Sequence, residues 1–343
     1  MLKTLTSVTI LICALNGLTA QQEFNIQKRT AIDGYYSEAH DVTTSDGYIL
    51  EVHRIPFRRF QISENDKENP KPVVFLMHGL QGSSLSYIYL GPRRALAYLL
   101  AEAGYDVWMG NARGGLNSRR HVTLDPDEDA EDFFNYSYED IALNDISDMI
   151  DYILKTTGQS QLHYIGHSQG GTVFFVMSYM RPEYNDKIKS AHLLAGVGYM
   201  EHFPNRLLNA LAFSTDIIYV SIHKQLEILA PASMKQYAHF GQNIRTKSFK
   251  RWNYGPLKNL IKYGSLSAPE YDLSKITINT TMHYTVNDDL LDERDVLSMA
   301  SVIPNAKVRK IARETYNHND FVLAPDSKEL LYDYILEELD KNR

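Results

Sequence analysis

The sequence predicts an α/β fold in which a mostly parallel central sheet carries helices on both faces. Short apolar runs alternate with helical stretches over most of the chain, and the run 73–77 is apolar at every position. A strand that is buried on both faces gives such a continuous run, as expected in a parallel sheet. Strands that alternate with helices in this way indicate a sheet covered on both sides.

The first predicted core strand is 73–77, five apolar residues in succession. A helix is predicted near 92–103, because Pro92 suits a first helical position and Gly104 suits a helix end. Residues 106–109 predict the next strand.

A longer helix is predicted over 138–156, where apolar residues recur at i, i+4, i+7, i+8 and i+11 and so share one helix face. Further along the chain, four more strands and two more helices are predicted. The strands are 162–165, 191–195, 276–286 and 308–312, and the helices are 171–180 and 327–339.

The strand and helix alternation breaks near Tyr199. Residues 201–274 are helical in pattern, aromatic and basic, and the sheet pattern resumes after them. We therefore expect a helical cap inserted at 201–274 between two parts of one core domain, 21–200 and 275–343.

The first twenty residues are expected to be a secretory signal peptide. Lys3 precedes an apolar stretch at 8–15, and Ala20 is a small residue suited to cleavage. The stretch is too short to span a bilayer, so the prediction is a secreted or lysosomal protein. The single cysteine, Cys13, lies within this segment, so no disulfide is expected after cleavage. Asn135 and Asn279 begin N-x-S/T sequons that this route would expose to glycosylation.

Composition and charge argue against nucleic acid as a partner. The 343 residues are 44% hydrophobic and 22% charged, with a formal net charge of −7. No block of like charges stands out, which argues against nucleic acid as a partner. No metal, organic cofactor or stable protein partner is implied.

The segment 166–170, Gly-His-Ser-Gln-Gly, has the G-x-S-x-G pattern of a nucleophilic serine. It follows the predicted strand 162–165 and opens a predicted helix. A sharp turn between strand and helix lifts the serine hydroxyl above the sheet edge, and the flanking glycines leave room for that turn. We therefore predict that Ser168 is a catalytic nucleophile, against the alternative of an ordinary glycine-rich loop.

A serine needs a base, and the base needs an orienting acid. The sharp strand-to-helix turn that carries such a serine is called a nucleophile elbow. After it in the chain, the acid comes first and the histidine second, each following a strand. The last histidine, His318, follows the predicted strand 308–312. Asp288 is the first acid beyond strand 276–286 and is the preferred candidate, with Asp289 as the alternative.

Donors for a tetrahedral oxyanion are expected after strand 73–77, where His-Gly-Leu follows at 78–80. The backbone N–H groups of Leu80 and of Gln169, the residue after the serine, are the predicted pair.

Six blocks of the chain resemble the acid lipase family of gastric and lysosomal acid lipases, and they run in family order from about residue 30 to 330. The blocks are Asp46–Leu50 with His53–Pro56, His78–Leu80, Gly104–Trp108 with Gly110–Gly114, Gly166–Gly170, Asn287-Asp288 with Asp295-Val296, and Tyr316–Phe321. The resemblance implies an α/β-hydrolase fold with Ser168, Asp288 and His318 as triad and Leu80 and Gln169 as oxyanion donors. It also implies activity on triacylglycerols or sterol esters.

The chain departs from the family pattern in two ways. The family carries cysteines in its cap, and the chain beyond Ala20 has none. The stretch between Ser168 and Asp288 is also shorter than usual, and the missing material falls near 230–240.

The predicted function is hydrolysis of lipid carboxylic esters at a lipid droplet or micelle surface. Two alternatives remain open from the sequence: an enzyme of the same fold that acts on small esters or peptides, and a non-catalytic lipid-binding protein on a lipase scaffold. A non-catalytic protein would be expected to lack the serine or the histidine, and both are present.

Overall fold

The computed structural model describes residues 25–60, 71–213 and 232–343. The predicted signal peptide and Cys13 therefore lie outside the described residues, as does 214–231 within the predicted cap.

Nine strands of the described chain form one sheet. They are β1 (Glu38–Thr43), β2 (Tyr48–Ile55), β3 (Val73–Met77), β4 (Asp106–Met109), β5 (Arg120–His121), β6 (Leu162–His167), β7 (Ile188–Leu194), β8 (Thr280–Tyr284) and β9 (Ala306–Lys310). The spatial order is β1-β2-β4-β3-β6-β7-β8-β9, with β5 paired to β2. The six strands from β4 to β9 across the sheet pair in parallel, whereas β2 is antiparallel to its neighbours.

Helices connect the strands. The α-helices of the described chain are α1 (Ile26–Ile32), α2 (Leu96–Glu102), α3 (Ala130–Phe133), α4 (Tyr138–Asp140), α5 (Ile146–Thr157), α6 (Gln169–Met180), α7 (Arg206–Ala212), α8 (Met234–Thr246), α9 (Pro256–Tyr263), α10 (Glu293–Val302), α11 (Asp320–Leu323) and α12 (Asp333–Lys341). None of these described helices has the length and apolar character needed to cross a bilayer.

The predicted α/β fold with a mostly parallel sheet is confirmed. Strands β3, β4, β6 and β8 are buried at every position, as expected of strands covered on both faces, although only β3 of these four is apolar throughout. Helix α6 is buried at ten of its twelve positions and lies against the sheet as part of the main core.

Most predicted elements have somewhat different bounds in the structure, and helix 92–103 and strand 276–286 are clear examples. Helix α2 begins at Leu96 after the N-cap Ala95, so Pro92 lies in the preceding turn rather than at the first helical position. The strand predicted over 276–286 is the shorter β8, which begins at Thr280, beyond the 3₁₀ turn at Leu273–Lys275, and ends at Tyr284.

The predicted helix 138–156 is interrupted. Its middle, Ile141–Asp145, is a π-helical turn between α4 and α5. Single π turns within helices widen the backbone locally and occur frequently at special sites. Here the turn presents Asp145, fully buried, to the guanidinium of Arg113 at 2.6 Å.

Candidate active site

The serine of the predicted elbow lies between β6 and α6. Ser168 has φ 52° and ψ −115°, a backbone conformation that L residues rarely adopt. A side chain on either flanking glycine would collide with backbone: a Cβ on Gly166 would lie 2.6 Å from Gly170 and one on Gly170 2.2 Å from the Met77 carbonyl oxygen. The turn therefore needs both glycines, and its strain holds a half-buried serine at the strand end.

The structure brings three predicted site residues together. His318 Nε2 lies 2.7 Å from Ser168 Oγ. On the other side of the ring, His318 Nδ1 lies 2.8 Å from Asp288 Oδ2 and 3.0 Å from its Oδ1. An imidazole that donates its Nδ1 proton to a carboxylate presents Nε2 as the acceptor for a hydroxyl proton. The arrangement can therefore remove the proton of Ser168.

Asp288 and Asp289 occupy different surroundings. Asp288 is buried, and its Oδ1 also accepts N–H groups from Leu290 and Leu291 at 2.8 and 3.1 Å. Such bonds fix the carboxylate orientation. Asp289 is exposed and its Oδ2 faces Asn205, 3.4 Å from the amide nitrogen. The carboxylate that contacts the histidine is therefore Asp288.

The variable residue of the elbow, His167, also contacts the histidine loop. Its Nε2–H donates to the His318 carbonyl at 2.9 Å. Burial, together with the neighbouring His318, lowers the pKa of His167 to about 3, so this ring is a neutral donor. The G-x-S-x-G pattern allows any residue at position 167. No pattern in the sequence points to the contact that His167 makes with His318, 151 residues away.

The loop after β3 lies next to the elbow. A Cβ on Gly79 would lie 3.0 Å from that of Ser168, so the backbone leading into Leu80 approaches the nucleophile. Gln81 follows with φ 62°, in the left-handed region. In the described part of the chain, the backbone N–H groups of Leu80 and Gln169 donate to no acceptor. Both groups are thus available to an added oxygen.

Buried polar groups hold this loop in place. His78 donates from Nδ1 to the Gly79 carbonyl at 2.7 Å and accepts the Ala112 N–H at Nε2, 3.1 Å away. Burial lowers the pKa of His78 to about 4, which keeps the ring neutral for both bonds. Asn111 supports the same loop by accepting the Ser84 N–H at 2.9 Å.

A residue of α8 also contacts the elbow. Gln236 Oε1 accepts a hydrogen bond from Gln169 Nε2 at 2.7 Å, and both side chains are buried. The other amide atom, Gln169 Oε1, has no partner among the described residues. The side chain after the nucleophile is therefore positioned by α8, a contact that sequence patterns did not indicate.

Asp292 and Asp295, which follow Asp288 along the chain, have different roles. Asp292 is the N-cap of α10 and accepts the Arg294 N–H. Asp295 is buried and bonds His202 at 2.8 Å.

Within the described ranges, no three His, Cys, Asp or Glu side chains are grouped as metal ligands require.

Both predicted sequons place their asparagine at the surface. Asn135 is exposed, and its Oδ1 accepts from Lys235 Nζ at 2.9 Å. Asn279 is exposed, while its backbone carbonyl pairs with the Ala191 N–H.

The fold and the lipase resemblance both appear in comparisons with known proteins. Residues 72–325 match the model of the alpha/beta hydrolase fold, and 26–91 match that of the partial alpha/beta-hydrolase lipase region. Among solved structures, an esterase from Exiguobacterium antarcticum is similar with a TM-score of 0.54 and 14% identity, covering 88% of this chain and all of that one. A thermophilic esterase from Thermogutta terrifontis has a TM-score of 0.51 and 14% identity, covering 89% and 98%. At these identities the likeness concerns the fold alone.

Curated relatives are similar over most of their length. Lipase 3 of Drosophila melanogaster is 33% identical and covers 97% of each chain. Gastric triacylglycerol lipase of Rattus norvegicus is 31% identical, covering 92% of this chain and 91% of its own. The alignment with Lipase 3 extends over 389 positions, more than the 343 residues here, so that relative has segments this chain lacks. The chain belongs to the α/β-hydrolase superfamily and, within it, to the lipase family of Lipase 3 and gastric triacylglycerol lipase.

Proposed function

We propose that this lipase hydrolyses carboxylic esters of lipids, triacylglycerols or sterol esters, through an acyl-enzyme on Ser168. The observation that carries the proposal is the continuous contact from Ser168 Oγ through His318 to Asp288, at 2.7 and 2.8 Å, on a strained strand-to-helix turn. The names of the curated relatives support lipid esters as the substrate class.

In the proposed reaction, Ser168 Oγ attacks the ester carbonyl carbon while its proton passes to His318 Nε2. Asp288 holds the ring and stabilises the imidazolium that forms. As the tetrahedral intermediate collapses, the C–O bond to the alcohol breaks and the imidazolium protonates the leaving oxygen. Water then attacks the acyl-enzyme, with His318 again as base, and releases the acid.

The negative oxygen of the intermediate is proposed to bind the backbone N–H groups of Leu80 and Gln169. Both lie beside the nucleophile, and both lack an acceptor in the described chain. Removing one such donor in a comparable site costs about 3 kcal/mol of transition-state stabilisation.

The wider organisation is part of the same proposal. Residues 201–274 form a cap over the active site, and 21–200 and 275–343 form the two parts of one core domain. The contact from α8 to the elbow supports this arrangement. Secretion or lysosomal delivery follows from the pattern of residues 1–20, and the exposure of Asn135 and Asn279 is compatible with glycosylation.

A fluorophosphonate probe tests the nucleophile without assuming a substrate. The purified chain should be labelled stoichiometrically and should hydrolyse tributyrin. Ser168→Ala should lose both properties, and His318→Ala should lose hydrolysis, with near-UV circular dichroism unchanged. Labelling that persists in Ser168→Ala would place the nucleophile elsewhere.

A further inference from the structure

The described part of the predicted cap is basic, although the chain as a whole is acidic. The stretch 232–269 contains seven of the 35 Lys and Arg residues and none of the 42 Asp and Glu residues. The seven cations are Lys235, Arg245, Lys247, Lys250, Arg251, Lys258 and Lys262. Positive charge is thus concentrated in one segment of a chain whose net charge is −7.

Within the described ranges, Lys250 and Arg251 each pair with a carboxylate. Arg251 Nη2 lies 2.8 Å from Glu139 Oε1 in the core, and Lys250 lies 3.4 Å from Glu270. Lys258 and Lys262, on α9, are exposed and form no ion pair with a carboxylate of the described chain. Lys262 Nζ instead lies over the Tyr254 ring, 4.6 Å from its centroid. The charge of α9 is therefore presented to the outside.

Helix α9 begins with Pro256 and ends at Gly264, whose φ of 68° is typical of a helix C-terminus. Its apolar residues are the ones that face solvent. Leu257, Leu260 and Ile261, at i, i+3 and i+4, are 78%, 49% and 85% exposed. Such spacing places them on one stripe, which a helix of a soluble core would turn inward.

Polar groups hold α9 in this orientation. Asn259 is its buried residue, and the amide nitrogen donates to Asn253 Oδ1 at 2.7 Å and to the Leu266 carbonyl at 3.1 Å. Tyr263 donates its hydroxyl to the Trp252 carbonyl at 2.9 Å. Leu266, 61% exposed, extends the apolar surface beyond the helix. The outward direction of the leucines is therefore fixed by the anchoring bonds.

A series of side-chain contacts connects this surface with the elbow that carries the nucleophile. Helix α8 joins the two through contacts one turn apart: Gln236 bonds Gln169, and His239 packs edge-on against Trp252 with centroids 5.5 Å apart. Trp252 in turn accepts from Tyr263 of α9.

We propose that α9 with Leu266 is the surface by which this enzyme adsorbs to lipid surfaces that carry anionic headgroups. An exposed apolar stripe bordered by lysines is the pattern of helices that lie in a lipid–water boundary, where the leucines enter the acyl region and the ammonium groups stay at headgroup level. The proposal rests on the proposed lipase function and names the surface and the charge preference that serve it.

Vesicle flotation tests it directly. The full chain should float with vesicles of phosphatidylcholine containing 30% phosphatidylglycerol and bind pure phosphatidylcholine less well. Leu257→Ser with Ile261→Ser should weaken binding to both vesicle types at least tenfold. Lys258→Gln with Lys262→Gln should weaken only the binding to anionic vesicles, by about fivefold for each lysine.

Matched controls come from the rest of the surface. Ile32→Ser removes an isoleucine that is 73% exposed on α1, and Lys155→Gln with Lys310→Gln removes two exposed lysines; all should bind as the original chain does. As a second readout, Ile261→Trp should show blue-shifted emission when anionic vesicles are added.

Flotation of the Leu257→Ser, Ile261→Ser variant equal to that of the original chain would overturn the proposal, as would an unshifted Ile261→Trp emission. A dimer of the original chain that the double variant converts to monomer would assign the stripe to a second copy instead. If the fluorophosphonate probe does not label the original chain, the proposed function is contradicted. The vesicle result then tests the binding surface alone.

Discussion

At the scale of single residues, the site depends on which carboxylate orients His318. Asp288→Asn keeps the size of the side chain but removes its charge and its ability to fix the Nδ1–H tautomer. By analogy with a triad carboxylate elsewhere, turnover should fall by about 10⁴-fold. Asp289→Asn is the matched control, because its carboxylate is exposed and faces Asn205. Steady-state kinetics on tributyrin would show both effects. Equal losses would mean that the two positions act through folding.

His167 is a positioning residue at the same scale. Its Nε2–H is the donor that holds the His318 carbonyl, so His167→Leu should leave the loop less well placed and lower kcat about tenfold, near the value of one lost hydrogen bond. His167→Gln carries an amide N–H at a similar reach and should recover most of the rate. If both variants retain full kcat, the contact does not position the base.

The scale of helices and strands shows what the sequence determined. Strand β3 lies at its predicted residues because it is a continuous apolar run, and β4 does so because its three apolar residues lie between Asp106 and Gly110. The position of Ser168 was predictable for the same reason, since the motif, the strand before it and the helix after it are all local signals. The choice of Asp288 was also accessible from its place directly beyond a strand.

Contacts between distant segments were not predictable from local patterns. The π turn at Ile141–Asp145 is not visible in the apolar periodicity of the helix, and the ion pair that its Asp145 forms with Arg113 joins residues 32 apart. The first hairpin, β1 with β2, was missed although it forms the edge of the sheet. Gln236 likewise became relevant only when α8 was seen against the elbow.

Helix α8 is expected to influence the oxyanion donors through Gln236. Gln236→Ala would leave the buried amide of Gln169 without its acceptor, so the elbow residue whose N–H is the proposed donor should be less well fixed. We expect kcat to fall five- to tenfold with little change in KM, because the loss affects the transition state. Gln236→Glu retains an acceptor oxygen and should recover part of the rate.

Gln242→Ala provides the control on the same helix. Its amide nitrogen bonds the Asn253 carbonyl, away from the elbow, at 3.2 Å. If this variant lowers kcat as much as Gln236→Ala does, the effect reflects the stability of α8 rather than the contact with Gln169.

At the scale of the whole molecule, buried histidines determine how stability depends on pH. Six of them have lowered pKa values, with burial as the main cause: about 4 for His78 and His163, about 3 for His167, His192 and His239, and well below the usual value for His283. The unfolded chain binds protons at these sites as pH falls through about 6.5, whereas the folded chain does not until pH 4 or lower. Stability is therefore present above this window and is lost as pH falls through it.

Asp145 opposes the trend at a single site. Burial raises its pKa to about 6 despite the neighbouring Arg113, so the folded chain binds this proton before the unfolded chain does. Between about pH 6 and 4 its contribution therefore increases stability as pH falls. With six histidines acting in the other direction, the free energy of unfolding should decrease from pH 7 to pH 4.

The pair His192 and His283, on β7 and β8, allows the origin of this dependence to be measured. Their rings stack with Nδ1 and Nε2 3.1 Å apart, and His283 Nδ1 has no partner in the described chain. Replacing both by leucine removes two sites that each contribute about 1.4 kcal/mol per pH unit. Urea unfolding of the double variant between pH 4 and 5.5 should give a slope against pH that is smaller by about 2.7 kcal/mol per unit. At pH 8 the rings are neutral in both states, so the difference there reports packing alone. Parallel curves for the two proteins over the whole range would show that these histidines do not carry the acid sensitivity.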